Sequence, residues 1–234
     1  VNIDDDLDLD QLKATLSNQR KRLDRLYYIK DADANHILFQ MNWAQKNLYL
    51  GMWYFNLVLK ARQLGVTTFS CIFGLDLCMF NSNTQALIVA HNKDEAEEFF
   101  HQKVKYAYDN MPMAVRLAMP CDTRRANRLR FENGSSIRVA TSGRSGTFQF
   151  VHVSEFGKLC AKFPERANEI VSGTLQAIHP GKIVIIESTA EGREGHFYDY
   201  SYLAEGLAEK KVKLTALDPK FFFFAWWKNT LNRL

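Results

Sequence analysis

Short apolar strands alternate with helical stretches along most of this sequence, and that alternation leaves few architectures open. Tyr54 to Lys60, Gln85 to Ala90, Phe148 to Val153 and Lys182 to Glu187 read as strands. Thr67 to Phe80, Asp94 to Tyr108, Glu165 to Ala177 and His196 to Leu207 read as the helices that separate and follow them. Strands that are apolar along their whole length are buried on both faces, which is the habit of parallel sheets covered by helices. The expected fold class is therefore α/β, with a mainly parallel central sheet flanked by helices. Arg128 to Glu132 and Ser136 to Ala140 add an antiparallel pair around Asn133-Gly134, a strong hairpin signal. Lys211 to Leu217 is expected as a closing strand ahead of the aromatic segment Phe221 to Trp227. At the other end, leucines recur at near-helical spacing from Leu7 to Tyr28, with Asp8 as a candidate cap. Residues 1–35 are thus expected to form an N-terminal helical appendage and residues 36–234 the main domain.

Several function classes drop out. No apolar run approaches the roughly 18–20 residues that span a bilayer, so no membrane partner is expected. The acidic start, with five aspartates in the first ten residues, does not resemble a signal peptide. Four cysteines without CxxC spacing and six histidines without HExxH spacing argue against a disulfide frame or a zinc centre, and fit reduced cytosolic thiols. The net charge of +4 is unevenly placed. Residues 101–150 hold nine Lys and Arg against three Asp and Glu, a local excess of +6, so the rest of the chain is slightly acidic. A polyanion is the partner such a window suits, and Arg124, Arg125, Arg128 and Arg130 are its candidate contacts, a solvated basic face being the alternative.

The loops carry the chemistry. Between a predicted strand and a predicted helix lies Lys60-Ala-Arg62-Gln63-Leu-Gly65-Val66-Thr67-Thr68. In the usual phosphate loop, G-x-x-x-x-G-K-[ST], backbone amides cradle phosphates, the lysine neutralises them and the hydroxyl meets Mg²⁺. Here Gly65 and Thr67 match, Val66 stands at the lysine position and Lys60 at the first glycine, so the cations are displaced to Lys60 and Arg62. The strand at 148–153 runs into Ser154-Glu155, which resembles a Walker B end with serine in place of the aspartate. Glu155 then becomes the candidate for orienting an attacking water, and Ser154 with Thr67 the candidate metal contacts. Ser188-Thr189-Ala190 follow the next strand and offer hydroxyls that sense a γ-phosphate or merely cap a helix. Arg144, in a Ser-Gly-rich loop, is a candidate arginine finger, a DNA-phosphate contact or a solvated side chain. Gln45, after Asn42 and Trp43, is either an adenine-reading amide or part of a helix cap.

Together these segments resemble the ATPase domain of the tailed-bacteriophage terminase large subunit, the DNA-packaging motor. The resemblance rests on Asn42-Trp-Ala-Gln45, Ala61-Arg-Gln-Leu-Gly-Val-Thr-Thr68, Gly143-Arg-Ser-Gly-Thr147, His152-Val-Ser-Glu155, Glu187-Ser-Thr-Ala190 and Phe223-Phe-Ala-Trp-Trp227, in family order over roughly residues 27–228. It implies a RecA-like ASCE P-loop ATPase fold and binding of ATP and Mg²⁺. It implies nucleotide contacts at Gln45, Lys60, Arg62, Gln63, Gly65, Val66, Thr67 and Thr68, catalysis by Glu155 with Arg144, and coupling through Ser188, Thr189 and Ala190. Implied partners are double-stranded DNA, the portal protein, the small terminase subunit and further copies of the chain in a ring, in the host cell cytoplasm. Members of this family continue into a nuclease domain, and no acidic cluster for one follows the aromatic segment here, so no nuclease activity is expected.

Overall fold

The computed structural model describes residues 9–143, 146–176, 178 and 181–228. The chain opens with α1 (Leu9–Leu16) and α2 (Gln19–Arg25), then a small antiparallel pair, β1 (Tyr28–Lys30) and β2 (His36–Leu38), and α3 (Trp43–Gly51). Next come β3 (Phe55–Lys60), α4 (Val66–Phe80) and β4 (Gln85–Val89). A long helical stretch runs through α5 (Lys93–Glu98), a π-helical segment and α6 (Tyr106–Asp109), followed by α7 (Met113–Ala118). Three strands, β5 (Cys121–Arg125), β6 (Arg128–Phe131) and β7 (Ser136–Ala140), lead to β8 (Phe150–Val153). The chain closes with α8 (Phe156–Lys162), α9 (Pro164–Glu169), β9 (Ile183–Ser188), α10 (His196–Glu209) and β10 (Pro219–Phe224).

Eight strands form one sheet in the order β10-β3-β9-β8-β4-β7-β6-β5. All pairs from β10 to β7 are parallel, and β6 and β5 extend the sheet antiparallel. This is the mainly parallel, helix-flanked sheet expected from the alternation. Period-two side-chain direction divides the core into two layers. Val58, Ala86, Ile88, Phe150 and Ile185 pack on one face with α2, α3 and α4, while Leu57, Leu87, Val89, Val151, Val184 and Ile186 pack on the other with α8 and α10.

α4 is apolar almost all round because it lies between the sheet and the N-terminal helices. Gly74 lets it approach closely: a Cβ there meets the Phe150 ring at 3.0 Å. On its outer side Asp76, fully buried, accepts from Arg22 Nε at 2.8 Å and Nη2 at 2.9 Å, and from the Tyr27 hydroxyl at 2.8 Å. The first helices are thereby fastened to the helix that follows the candidate phosphate loop.

Three expectations change. The single helix foreseen from Leu7 to Tyr28 is two, because Asn18 caps a new start by accepting from Lys21 N; Asp8 lies outside the described residues. Lys211 to Leu217 is not a strand. Its lysines face water, Leu217 is 68 % exposed, and Thr215 turns the chain by bonding Asp218. The edge strand is instead the aromatic run itself, whose Phe222 and Phe224 are buried beside β3. β5 was not foreseen, since Cys-Asp-Thr-Arg-Arg carries no apolar alternation.

Candidate active site

The strand order brings three loops to one edge. β9 lies between β3 and β8, so the segments after Lys60, Val153 and Glu187 leave the carboxyl ends of adjacent strands, where ligands bind in parallel α/β sheets. Gln63 and Gly65 both take left-handed backbone angles (φ 60° and 67°), turning the chain sharply into α4. No side chain caps the start of α4, which leaves helix N-terminal amides there for an anion.

Lys60 ends β3 and is 9 % exposed. Its Nζ lies 3.0 Å from Glu155 Oε1 and 2.9 Å from Glu187 Oε2. Burial pulls the ammonium pKa down, but the two carboxylates, Glu187 ahead of Glu155, raise it on balance, so Lys60 is a charged cation. Arg62 and Gln63 are exposed, and the Val66 side chain is packed into the core at 1 % exposure. Residue 66 therefore offers the site only its backbone, and the buried cation at this edge is Lys60.

Thr67 Oγ1 donates to Glu187 Oε1 at 2.7 Å, and Ser154 Oγ donates to the same oxygen at 2.9 Å. The two hydroxyls are 3.4 Å apart. Glu187 is completely buried; a carboxylate there carries a desolvation cost of several kcal/mol, offset by the Lys60 cation and the two donors. His152, also fully buried, has Nε2 3.7 Å from Glu187 Oε1. Burial and the nearby Lys60 charge push its pKa down to about 3, so it is neutral at physiological pH. Glu155 stands at φ 50° and ψ 44°, a left-handed conformation that costs a residue with a Cβ about 1–2 kcal/mol. That turn puts its carboxylate against Lys60, with Thr189 Oγ1 at 3.5 Å from Oε2. Ser188 is buried and Ala190 exposed beside them.

Gln45 sits in the first turn of α3. Its Oε1 accepts from Asn42 N at 2.9 Å in a capping box, and its Nε2 donates to Gly65 O at 2.8 Å. The amide thus holds the candidate phosphate loop against α3. Thr68 follows Thr67 in the first turn of α4. Arg144 lies outside the described residues. Arg125, Arg128 and Arg130 lie on β5 and β6, at the opposite end of the sheet from β3, and of Arg124 only the backbone is described, in β5. Arg128 pairs across strands with both Arg125 and Arg138; burial first, and then these like charges, lower its pKa.

The donor set at the carboxyl edge is one cation, two carboxylates and the hydroxyls of Thr67, at the start of α4, and Ser154, just past β8. Its oxygens are hard and suit Mg²⁺. Among the described residues no group of three or more His, Cys, Asp or Glu is placed to hold a metal ion by itself. A cavity of about 500 Å³ opens elsewhere, near the amino ends of the same strands, lined by Tyr54, Phe55, Leu175 and Tyr200. It is largely apolar and takes no part in this set. Glu187 is the residue that sequence reasoning gave no role. Its signal was a charge closing an otherwise apolar strand, and its meaning depends on β9 lying between β3 and β8.

No protein-family model and no curated protein matches the sequence. Among solved structures, the large terminase ATPase domain of Thermus phage P74-26 superposes with a TM-score of 0.57 at 19 % identity, covering 81 % of this chain and 83 % of that one. The large terminase of the thermophilic bacteriophage D6E gives a TM-score of 0.50 at 10 % identity, covering 79 % of this chain and 46 % of that one, so the match spans just under half of the D6E protein. At such identities the likeness is one of fold, and the chain has the RecA-like α/β fold of the phage large-terminase ATPase domains.

Proposed function

We propose that this chain is the ATP-hydrolysing motor domain that drives double-stranded viral DNA into a preformed capsid. The observation that carries the reading is the convergence of Lys60, Thr67, Ser154 and Glu155 at the carboxyl edge of β3, β9 and β8. An ATP triphosphate meets there the amides at the start of α4, the Lys60 ammonium and the Thr67 hydroxyl. Glu155 orients the water that attacks the γ-phosphate. Mg²⁺, when bound with the nucleotide, neutralises phosphate charge. Lys60 bridges to Glu155, so ATP competes with that carboxylate for the cation, and the exchange frees Glu155 for water. Thr189, close to Glu155, registers loss of the γ-phosphate and passes it to the segment 188–190. Arg144 acts as a finger, from a neighbouring copy in a ring. The arginines of β5 and β6 meet DNA phosphates without reading bases, as a motor that accepts any sequence requires. The portal protein and the small terminase subunit are the further partners, in the host cell cytoplasm. Two other readings, a helicase-like translocase and a nucleotide-gated docking module, differ in strand separation and in hydrolysis.

The test is single-turnover ATP hydrolysis by Glu155→Ala against the parent, at high protein concentration with DNA present. Loss of a water-orienting group lowers the rate by about 100-fold or more while ATP binding persists. Equal rates in the two proteins would remove Glu155 from its role, and a parent that binds ATP without hydrolysing it would favour the docking module.

A further inference from the structure

We propose that Glu187, reaching in from β9, supplies the carboxylate that Ser154 lacks and is the protein's acid toward the divalent cation of the bound nucleotide. The inference rests on the nucleotide-binding reading above. Nucleoside triphosphates reach a site like this as Mg²⁺ complexes, and Mg²⁺ is held by the phosphates together with one or two protein oxygens, of which a carboxylate brings the charge. The residue after β8 that would bring it is Ser154, which is neutral.

The structure replaces it from the next strand. Val153 is in register with Ile186, so Ser154 and Glu187 are the next residues along two adjacent parallel strands. Glu187 Oε1 takes the Thr67 hydroxyl at 2.7 Å and the Ser154 hydroxyl at 2.9 Å. The acid that accepts from the loop threonine is therefore not on the Glu155 strand but on the one between it and β3. Ser154, by donating to Glu187, fixes the carboxylate's direction rather than binding a metal itself. The carboxylate's other oxygen faces Lys60 Nζ at 2.9 Å. The two hydroxyls help to offset the burial of this carboxylate whatever its role. The placement beside Thr67 is what points to the cation.

The test is calorimetric binding of ATPγS to the intact chain with Mg²⁺ and with EDTA, so that the readout is the gain in affinity Mg²⁺ confers rather than turnover. Glu187→Gln keeps the shape and removes the charge; the Mg²⁺ gain is expected to fall by about 10–100-fold, as losses of metal-orienting groups do. Adding Ser154→Asp to Glu187→Gln returns the carboxylate to β8 and restores part of it. Should Glu187→Gln fail to fold, Glu187→Asp keeps the charge facing Lys60 while withdrawing the oxygens by one methylene, and a reduced Mg²⁺ gain is again expected. An undiminished gain in either folded variant overturns the proposal. So does tighter binding of equal size with and without Mg²⁺, which marks Glu187 as a mere competitor for Lys60. A parent chain that binds no ATPγS under either condition overturns the nucleotide reading instead.

Discussion

Lys60 Nζ and Glu155 Oε1 are 3.0 Å apart although their strands, β3 and β8, are not neighbours. Lys60 reaches across the end of β9, and on the way it meets Glu187. One cation thus ties the three strand ends, and on the reading proposed above the same side chain also meets the phosphates.

Removing that cation is expected to act on both. Lys60→Met leaves Glu187 buried without its counter-charge, a loss of about 3–5 kcal/mol in folding free energy. The variant also loses phosphate affinity. The double variant Lys60→Met with Glu187→Met takes out both charges, and buried pairs replaced by apolar residues of similar volume are often neutral. Its urea midpoint should return towards that of the parent while ATP binding stays weak. A double variant no more stable than the single one would show that the Lys60–Glu187 pair is not what Lys60→Met breaks.

Gly65 is constrained twice. Its φ of 67° is left-handed, and a Cβ there falls 2.7 Å from Gln45 Nε2. Gly65→Ala is expected to destabilise the chain by about 1–2 kcal/mol from the backbone term alone. The steric part is separable: Gln45→Ala removes the amide that the new methyl would strike. The two substitutions should therefore combine to less than the sum of their separate effects in urea denaturation. Strict additivity would mean that the glycine is needed for its backbone angle only.

How far the site was legible follows from the same residues. Strands β4, β8 and β9 announce themselves because they are apolar on both faces, and Ser154-Glu155 is visible as the polar end of one of them. Chain order does not disclose lateral strand order, so nothing in the sequence places Glu187 between Lys60 and Ser154. β10 was missed for a related reason. Lys211–Leu217 alternates like a strand, but the phenylalanines after it have more apolar area to bury and win the edge beside β3. The link from Arg22 to Asp76 joins residues 54 positions apart, which no local pattern announces.

That link is expected to govern attachment of the first helices. Asp76 is fully buried and accepts from Arg22 and Tyr27; burial, then the Asp76 charge and hydrogen bond, raises the tyrosine's pKa well above its ordinary range. Asp76→Ala strands the guanidinium and should cost about 3–5 kcal/mol. Arg22→Met with Asp76→Leu removes both charges and should recover much of that loss. Limited proteolysis reads the local effect: cleavage between α2 and β1 should rise in Asp76→Ala and fall back in the double variant. Unchanged cleavage in Asp76→Ala would mean that apolar packing of Leu23 and Leu26 holds these helices without the ion pair.

His152 gives the edge a pH dependence whose sign is fixed by its burial. Its folded pKa is about 3, depressed by burial and then by the Lys60 charge, whereas in an unfolded chain it titrates near its ordinary value of 6.5. Above the unfolded value neither state carries the proton, and the contribution to stability is complete. Between the two values the unfolded chain binds a proton that the folded chain refuses, so stability falls as the medium is acidified. The slope from this one group approaches about 1.4 kcal/mol per pH unit. His152→Asn, which cannot titrate, should be less stable than the parent near neutral pH yet lose less on acidification from about pH 6.5 to 4.5. Urea denaturation of both proteins at several pH values gives the difference in slope. Identical slopes would mean that His152 takes up its proton in the folded chain, next to Glu187.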